Sequence, residues 1–585
     1  KNGKYINYKT KRVKRNSAIQ QLTIKQVKDG FGLDSYMQNS HANNSAVAKD
    51  WHIGQIISLG QDGKRYVYGQ PAYNKTQQEV TFSVGKKLGG NSHSGVLSGG
   101  SELHRDGLVS YTANQDNTKE NEWGLDNYFQ RVTTPGYAHS YLLTAVISDD
   151  YVDADNTKGP SNGDLGTYTK FNYSIKESNY KWRTPFKADK AAYNEGLKSD
   201  PNDDKASYLY GEKEIFLLES IETKNYIAVF EHTSRNDSRG VADDNGGFGA
   251  SSNKLSKISL YTIKDYANGT NPNAVPIKEV HFVYEDNPNN ELCQGIPNNI
   301  NNGGKLTLKK VYFTYKDSKK GKLNPYVFNY GDNPDYNLKA YDRWGNYKPN
   351  NVNTGEHDEP LLATYEYPYV DQNPQEANQN AVAWTLDQIE LPSGGTINVG
   401  LEADDYQYVQ NRKAMEMAKI IQVSKSTTSI TTGGIIHTIS PKNDPAYSSQ
   451  SISDQSLTEY RSNNRRIYFE KAPGHNCSEY VAGIDDLYFR CLMEFSSSAK
   501  QYDYVSGYAE IADYGDEPST NMGWIDLKPV SFNDIDIDGN GQALLENKNP
   551  IALAGIQYGR LHLSRFVWDA PSLDDNNTFG ANTIK

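Results

Sequence analysis

The sequence predicts a mainly β protein: several antiparallel β-sheet domains, sandwich or hairpin-rich, with long Asn/Gly-rich loops and a few short helices. Three observations predict it. Tyrosine outnumbers phenylalanine 43 to 17, so much of the burial falls to a ring that packs its face on a sheet and keeps its hydroxyl on water or backbone. There are 48 glycines and 23 prolines, with recurring Asn-Gly, Asn-Pro and Asp-Asn pairs, which is turn chemistry. Apolar residues alternate with polar ones in many short segments, the period of a strand with one buried face. The chain is polar, with 36% hydrophobic residues and a mean hydropathy of -0.77, but 11% aromatic residues argue against disorder.

Taken along the chain, Lys64–Tyr68 and Val80–Val84 read as strands joined by a turn at Gly69-Gln70-Pro71. His104-Arg105-Asp106 reads as a turn before a strand at Leu108–Tyr111. Glu214–Leu218 and Tyr226–Phe230 form another strand pair. Val280, Phe282 and Tyr284 alternate, as do Val311, Phe313 and Tyr315, and then Phe328 and Tyr330 beyond a turn at Asp317–Lys322. Trp384, Leu386, Ile389 and Leu391 slip by one position, which predicts a bulged strand. Pro392-Ser393-Gly394-Gly395 then turns the chain into a half-buried strand through Ile397, Val399 and Leu401. Asp404-Asp405 can cap a short helix over 409–419, with Ala414, Met415, Met417 and Ala418 near helical spacing. A last apolar segment, Ile551–Trp568, closes the chain. Asn236–Asn253, Asn287–Gly304 and Tyr347–Glu356 read as polar connections. No fixed-period repeat supports a solenoid or propeller. These breaks divide the 585 residues into an N-terminal β-rich region (1–135), a β domain (136–290), a β-hairpin domain with the short helix (291–430) and a C-terminal β-rich domain (431–585).

A net charge of -11 gives no electrostatic reason to bind nucleic acid. The basic cluster from Lys1 to Arg15 reads as a solvated arm or strand. No run approaches the roughly 18 apolar residues of a membrane span. The chain begins at Lys1 with no signal-peptide pattern and ends on Asn582-Thr583-Ile584-Lys585, so it reads as a piece of something longer or a processed product. Three cysteines suit an exported protein: Cys477 and Cys491 either pair or stay free, and Cys293 is left over.

The strongest metal candidate is the turn Asp534, Asp536, Asp538 and Asn540, with Gly539 and Gly541. Aspartates at alternate positions followed by glycine can wrap oxygen ligands around Ca²⁺. Where an EF-hand places its bidentate glutamate stands Leu545, with Glu546 one later, and no helix pattern precedes the turn. The expectation is a simple calcium turn, against a solvated acidic turn whose Ile535 and Ile537 face inward. Asp149, Asp150, Asp153 and Asp155 form a second acidic loop, read as solvated carboxylates. His104-Arg105-Asp106 lacks every companion motif of a kinase loop, and Gly89–Gly95 lacks the second glycine of a nucleophile elbow. No histidines fall at zinc-protease spacing. The chain is therefore expected to have no catalytic residues and no bound organic cofactor.

Several blocks resemble very large exported surface proteins of Bacteroidota, some with RHS/YD-like character. They are GKRYVYGQPAYNKTQQEVTFSV from Gly63, SELHRDGLVSYT from Ser101, SYLLTAVISDDYVD with GDLGTYTKFNY from Ser140, and KASYLYGEKEIFLLESIETKNYIAVF from Lys205. NNGGKLTLKKVYFTY from Asn301, YDRWGNYKPN from Tyr341, LPSGGTINVGLEADDYQYVQNRKAM from Leu391 and the C-terminal IALAGIQYGRLHLSRFVW continue the series. Relatives often carry an acidic, glycine-containing turn, similar to a calcium loop, before GDLGTY. Here that turn reads Asp153 to Gly159 and departs from the pattern. The resemblance implies an extracellular location through type IX secretion and a structural or adhesive role, within a cell-surface appendage for attachment or for gripping prey. Its expected partners are copies of itself, other regions of the same giant chain, surface glycans or a target cell. The alternatives are an RHS-like shell or delivery element of a secreted toxin, and a glycan-active enzyme.

Overall fold

The computed structural model describes residues 17–29, 47–87, 108–155, 159–194, 202–284, 303–330, 374–400, 465–496, 501–518 and 520–533, with isolated positions and short pieces elsewhere. The protein is mainly β, and its paired strands run antiparallel. The first strands are β1 (Ile19–Thr23), β2 (Ile53–Leu59), β3 (Arg65–Ser83), β4 (Leu108–Ser110), β5 (Phe129–Thr134) and β6 (Tyr137–Ile147). There follow β7 (Tyr168–Thr184), β8 (Lys190–Asn194), β9 (Lys205–Thr223), β10 (Tyr226–Asp243) and β11 (Gly246–Thr262). β12 (Lys278–Val283), the small hairpin β13 (Ile296–Asn298) and β14 (Gly303–Lys305), β15 (Lys310–Thr314), β16 (Tyr326–Tyr330), β17 (Leu386–Glu390) and β18 (Thr396–Asn398) continue the chain. All but β13 and β14 join one 16-stranded sheet, which carries strands on both sides of positions 135 and 290.

β3 and β9, each 19 residues, organise that sheet. β3 pairs with β6 along its first half and with β9 and β5 along its second. β9 pairs in turn with β7, β8 and β10, so the pairings β3–β6–β7–β9–β3 close into a ring. Val80, Phe82, Ala206, Tyr208 and Tyr210 bury the alternate faces of the two long strands against Val109, Tyr111 and Ala191 of the β4–β8 layer. The expected turn at Gly69-Gln70-Pro71 is instead part of unbroken β3. Proline has no N–H for the ladder, and the strand absorbs it as irregular register around Tyr68 and Gln70. The Gly69 N–H donates to Thr144 Oγ1 at 3.2 Å, and the Tyr73 N–H to Glu214 Oε2 at 3.1 Å.

From β9 the sheet continues as a meander through β18. Cross-strand registers put Ile258, Val280, Phe313, Phe328, Ile389 and Ile397 on one face, and Lys257, Glu279, Thr314, Asn329 and Gln388 on the other. The expected loop at Asn236–Asn253 is largely strand: β10 runs to Asp243 and β11 starts at Gly246. The turn keeps Gly246 at φ +101°, where a Cβ would lie 2.8 Å from the Ala188 backbone. The β17–β18 hairpin forms as the sequence predicts. Its bulge falls at Asp387, which the register with β16 skips, and Gly394 takes φ +84° in the turn. β18, however, is an exposed edge and not half-buried.

Where the helix expected over 409–419 should begin, the described residues form a hairpin instead, and 414–417 lie outside the described residues. β19 (Tyr408–Val409) and β20 (Arg412–Lys413) make a tight hairpin there, and β21 (Ile420–Ser424) begins soon after. Tyr and Val prefer extended backbone, and Asn411 suits a turn, so local strand pairing overrides a weak helical spacing. The proposed cap, Asp404-Asp405, lies outside the described residues. β21 joins β22 (Arg466–Glu470), β25 (Met522–Leu527), β24 (Gln501–Asp516) and β23 (Asp486–Ser496), in that order, as a second sheet, and β26 (Val530–Asn533) pairs with β27 (Leu545–Lys548). One face of this sheet buries Ile467, Phe469, Phe489, Val505 and Ile525. Cys477, Tyr480 and helical positions Ile551, Ala554 and Tyr558 pack on them, the last three at the spacing of one helix face. The few helices are short, and among the described residues none is long and apolar enough to cross a membrane.

Phe82 is fully buried at the β3–β9 core. Phe82→Ala should therefore cost about 3–5 kcal/mol, seen as a lower urea midpoint at unchanged slope for the transition that carries the large sheet. A loss below about 1 kcal/mol would mean that the core collapses onto the cavity or that Phe82 contributes little.

Candidate functional site

The connection between β6 and β7 gathers three carboxylates. Asp153, Asp155 and Asp164 each bring an oxygen within 4.8 Å of the others. An antiparallel bridge between Val152 and Leu165 pins the two sides of the loop face to face. The loop packs closely at Gly163, where a Cβ would stand 2.3 Å from Asp155 Oδ2 and push that carboxylate aside. Gly166, at φ +79°, lets the backbone pass against Tyr151. The carboxylate of Asp164, only 2% exposed, is fixed by its donors. The Tyr151 hydroxyl and the Ser161 N–H reach Oδ2, both at 2.8 Å, and the Ala154 N–H reaches Oδ1 at 3.1 Å. Burial pushes the Asp164 carboxyl up, but these donors outweigh it and hold it below the usual carboxylate range, against the opposing charge of Asp155. Burial, reinforced by Asp164, pushes the Tyr151 hydroxyl well up.

Three convergent carboxylates offer the all-oxygen donor set that a hard cation such as Ca²⁺ takes. Asp153 and Asp155 are exposed and could complete a shell with water and backbone oxygens. Asp149 and Asp150, from the same acidic run, are not part of the group; Asp150 accepts from the Ser148 hydroxyl. Asp164 was not singled out in the sequence, since it stands across the loop from the acidic run. Its signal was the Gly-Asp-Leu-Gly block, with glycines on both sides of one aspartate. The turn Asp534, Asp536, Asp538 and Asn540 lies outside the described residues, as do His104-Arg105-Asp106 and Cys293.

A second constellation is buried between β4 and the tip of the β10–β11 hairpin. Asp116 accepts from the Thr112 N–H at 2.7 Å and from Trp123 Nε1–H at 2.8 Å, and its Oδ2 lies 3.0 Å from His93 Nε2. Burial pushes the Asp116 carboxyl up, and these partners more than offset it, leaving it below the usual range. Arg183 donates to the carbonyls of Pro185 and Asp244 and to the Tyr111 hydroxyl, and its guanidinium lies 4.3 Å from the centre of the Tyr208 ring. Each charge here is enclosed by protein partners, which makes this a fastening for the hairpin tip. The glycine-rich stretch 89–95 thus contributes His93 to a packed centre.

On the polar face of β11, β12 and β15, Glu279 accepts from Ser259 and Thr314 hydroxyls at 3.2 and 2.9 Å and pairs with Lys257 at 3.1 Å. His281 stacks on Tyr312 with centroids 4.5 Å apart, and its Nε2 is 2.9 Å from Thr314 Oγ1. A hydroxyl beside an imidazole has the form of a nucleophile and base, but Thr314 is 4% exposed, out of a substrate's reach. Cys477 is a free, buried thiol with Sγ 3.5 Å from the Trp524 carbonyl, so the Cys477–Cys491 disulfide, one of the two states open from the sequence, is not formed. The residue opens the helix Cys477–Tyr480 and packs into the core, where burial pushes the thiol up to about 11.

No family model matches the chain, and no curated protein matches it. Among solved structures, the crystal structure of a TcdB2-TccC3-Cdc42 complex is similar at 8% identity and a TM-score of 0.17. That similarity covers 48% of this chain and 12% of the other, a level that carries no argument about fold or function.

If Ca²⁺ binds, a hundredfold excess over its dissociation constant stabilises the fold by about 2.7 kcal/mol, so melts in chelator and in millimolar Ca²⁺ should differ by a few degrees. Asp155→Asn removes the share due to the β6–β7 loop, and Asp536→Ala the share due to the C-terminal turn. A melt indifferent to Ca²⁺ would mean that neither loop binds the ion. Protons supply a second check. The Asp164 carboxyl is depressed in the folded state, so its contribution is present above the ordinary value of 3.8 and is lost as pH falls through the lower, folded one. Asp164→Asn should flatten that acid limb of stability, measured by urea unfolding across pH; an unchanged limb would assign it to other carboxylates.

Proposed function

We propose that this chain is a structural or adhesive segment of a very large extracellular surface protein, exported by the type IX route and built into an appendage for attachment or for gripping prey. The observation that carries the reading is the display of aromatic rings on regular strands. On the second sheet Tyr488 and Tyr508 stand directly opposite each other with centroids 5.3 Å apart. They are 40% and 71% exposed. Tyr137, Tyr226 and Phe248 are likewise exposed on strands of the large sheet. Leaving such rings in water forgoes roughly 1.5–3 kcal/mol of burial each, a cost that contact with another surface recovers. A tyrosine face stacks on the C–H face of a sugar, and the surrounding amides and carboxylates bond hydroxyls. In the large sheet the long strands β10 and β11, of 18 and 17 residues, carry Tyr226 and Phe248.

The RHS-like shell remains a second reading because the meander β10–β18 is apolar on one face and polar on the other, as an enclosing wall would be. An image of the parent protein on cells separates the two readings: a filament or hook supports the adhesive one, a hollow chamber the shell. For the adhesive reading, the chain immobilised on beads should retain glycan-bearing surfaces. Tyr508→Ala should weaken that retention on the order of tenfold, about 1.4 kcal/mol. Retention unmoved by Tyr508→Ala and by Tyr488→Ala would remove this platform from the adhesive role.

A further inference from the structure

Among the described residues three pairs of tyrosines bring their rings together: Tyr111 with Tyr208, Tyr261 with Tyr266, and Tyr488 with Tyr508. Their surroundings differ. Tyr111 and Tyr208 are buried and stacked nearly parallel, and their hydroxyls are tied to Arg183 and Asn117. Tyr261 and Tyr266 are half-buried and close in sequence, where β11 runs into a short helix. Tyr488 and Tyr508 are exposed, and they stand on two different strands.

The ladder sets how closely that last pair approaches. The Ile511 N–H donates to the Asp485 carbonyl at 3.2 Å, and the Lys528 N–H to the Glu510 carbonyl at 2.7 Å. Odd-numbered residues along this part of β24 therefore bond toward β23, and even-numbered ones toward the other side. With Leu487 opposite Ala509 and Phe489 opposite Gly507, Tyr488 and Tyr508 form a non-hydrogen-bonded pair. Side chains of such a pair stand closest across an antiparallel ladder. Here the ring centroids are 5.3 Å apart and the planes are at 59°. Exposed side chains rotate within nanoseconds, so rotation alone brings the carbons ortho to the two hydroxyls together while the strands stay in place.

We propose that Tyr488 and Tyr508 are a site of oxidative cross-linking, coupled to dityrosine by a peroxidase that uses hydrogen peroxide. Each phenol gives one electron and its hydroxyl proton to the oxidant and becomes a tyrosyl radical. The two radicals join through their ortho carbons. The hydrogen on each joined carbon then moves to the ring oxygen, which restores both phenols. Two hydrogen atoms leave in all, and one hydrogen peroxide becomes two waters. The new bond ties β23 to β24, its one neighbour in the described sheet. An edge strand held by hydrogen bonds alone can open one bond after another from its end, and a covalent tie stops that opening midway. The site stands apart from the adhesive reading, since a chain that grips no glycan can still be coupled.

The full chain, kept dilute and treated with a haem peroxidase and hydrogen peroxide, tests the proposal through peptide mass spectrometry of the monomeric fraction. The main cross-link expected joins the peptides of Tyr488 and Tyr508, and the joined pair is lighter by two hydrogen atoms. Tyr488→Phe and Tyr508→Phe keep the ring and remove the phenol; each should abolish that species and most of the dityrosine fluorescence of the monomer. In urea its yield, relative to free tyrosine coupled in the same solution, should fall about tenfold or more, because an unfolded chain must first close the loop between the two residues. A monomer without that joined pair, a main cross-link at Tyr261 and Tyr266, fluorescence unmoved by both Phe changes, or a yield unchanged in urea overturns the inference.

Discussion

The ladder between β3 and β9 is the constraint on which the rest of the large sheet depends. Its register, from Asn74 opposite Lys213 to Ser83 opposite Lys205, joins segments far apart in sequence and closes the ring that also contains β6 and β7. A shift by one residue would turn Val80, Phe82, Tyr208 and Tyr210 away from the core and expose them. Both strands bond to different neighbours along their two halves, so neither can slide without breaking several ladders at once. The long β10–β11 hairpin and the meander beyond it take their origin and direction from the far half of β9.

Polar groups complete what burial begins. Asp116 and Arg183 are both deep in the protein, and an unpaired charge at such depth would be strongly destabilising. Their partners come from the segment that follows β4 (Tyr111, Thr112 and Trp123) and from the hairpin tip at Asp244, so the charges are satisfied only when these pieces arrive together. The network thereby rewards one arrangement of loops over others that would bury similar apolar area. The Asp164 centre works in the same way on a smaller scale. Three donors from the surrounding loop hold one carboxylate, and two more carboxylates approach it.

Two kinds of surface follow from this construction. The large sheet spends its long strands on rigidity and finishes in short edges, while the second sheet keeps a long edge and an exposed tyrosine pair on neighbouring strands. Rings fixed on a strand lose little conformational freedom on contact, and a strand edge offers main-chain groups in a set spacing. Exposed rings on strands of this kind are what the adhesive reading proposed above draws on.

Alternating residues, turn pairs and tyrosine content determined the β class, the antiparallel pairing of neighbours such as β9 with β10, and the Pro392–Gly395 turn. These are local matters, set by a strand's period and by backbone freedom at Gly394. The start of the helix expected over 409–419 is a hairpin because the helical spacing was weak and Tyr408, Val409, Arg412 and Lys413 pair as strands. Pro71 misled because its lost N–H is accommodated by a bulge that only the β6 neighbour defines. The acidic loop was visible as a run of aspartates, but its gathering depends on Asp164, brought across by the Val152–Leu165 bridge. His93 with Asp116, and Arg183 with Tyr111 and Tyr208, were not legible at all. No spacing joins residues from separate strands; the three-dimensional pairing of β3 with β9, and the layer of β4 and β8 laid over it, decides which of them meet.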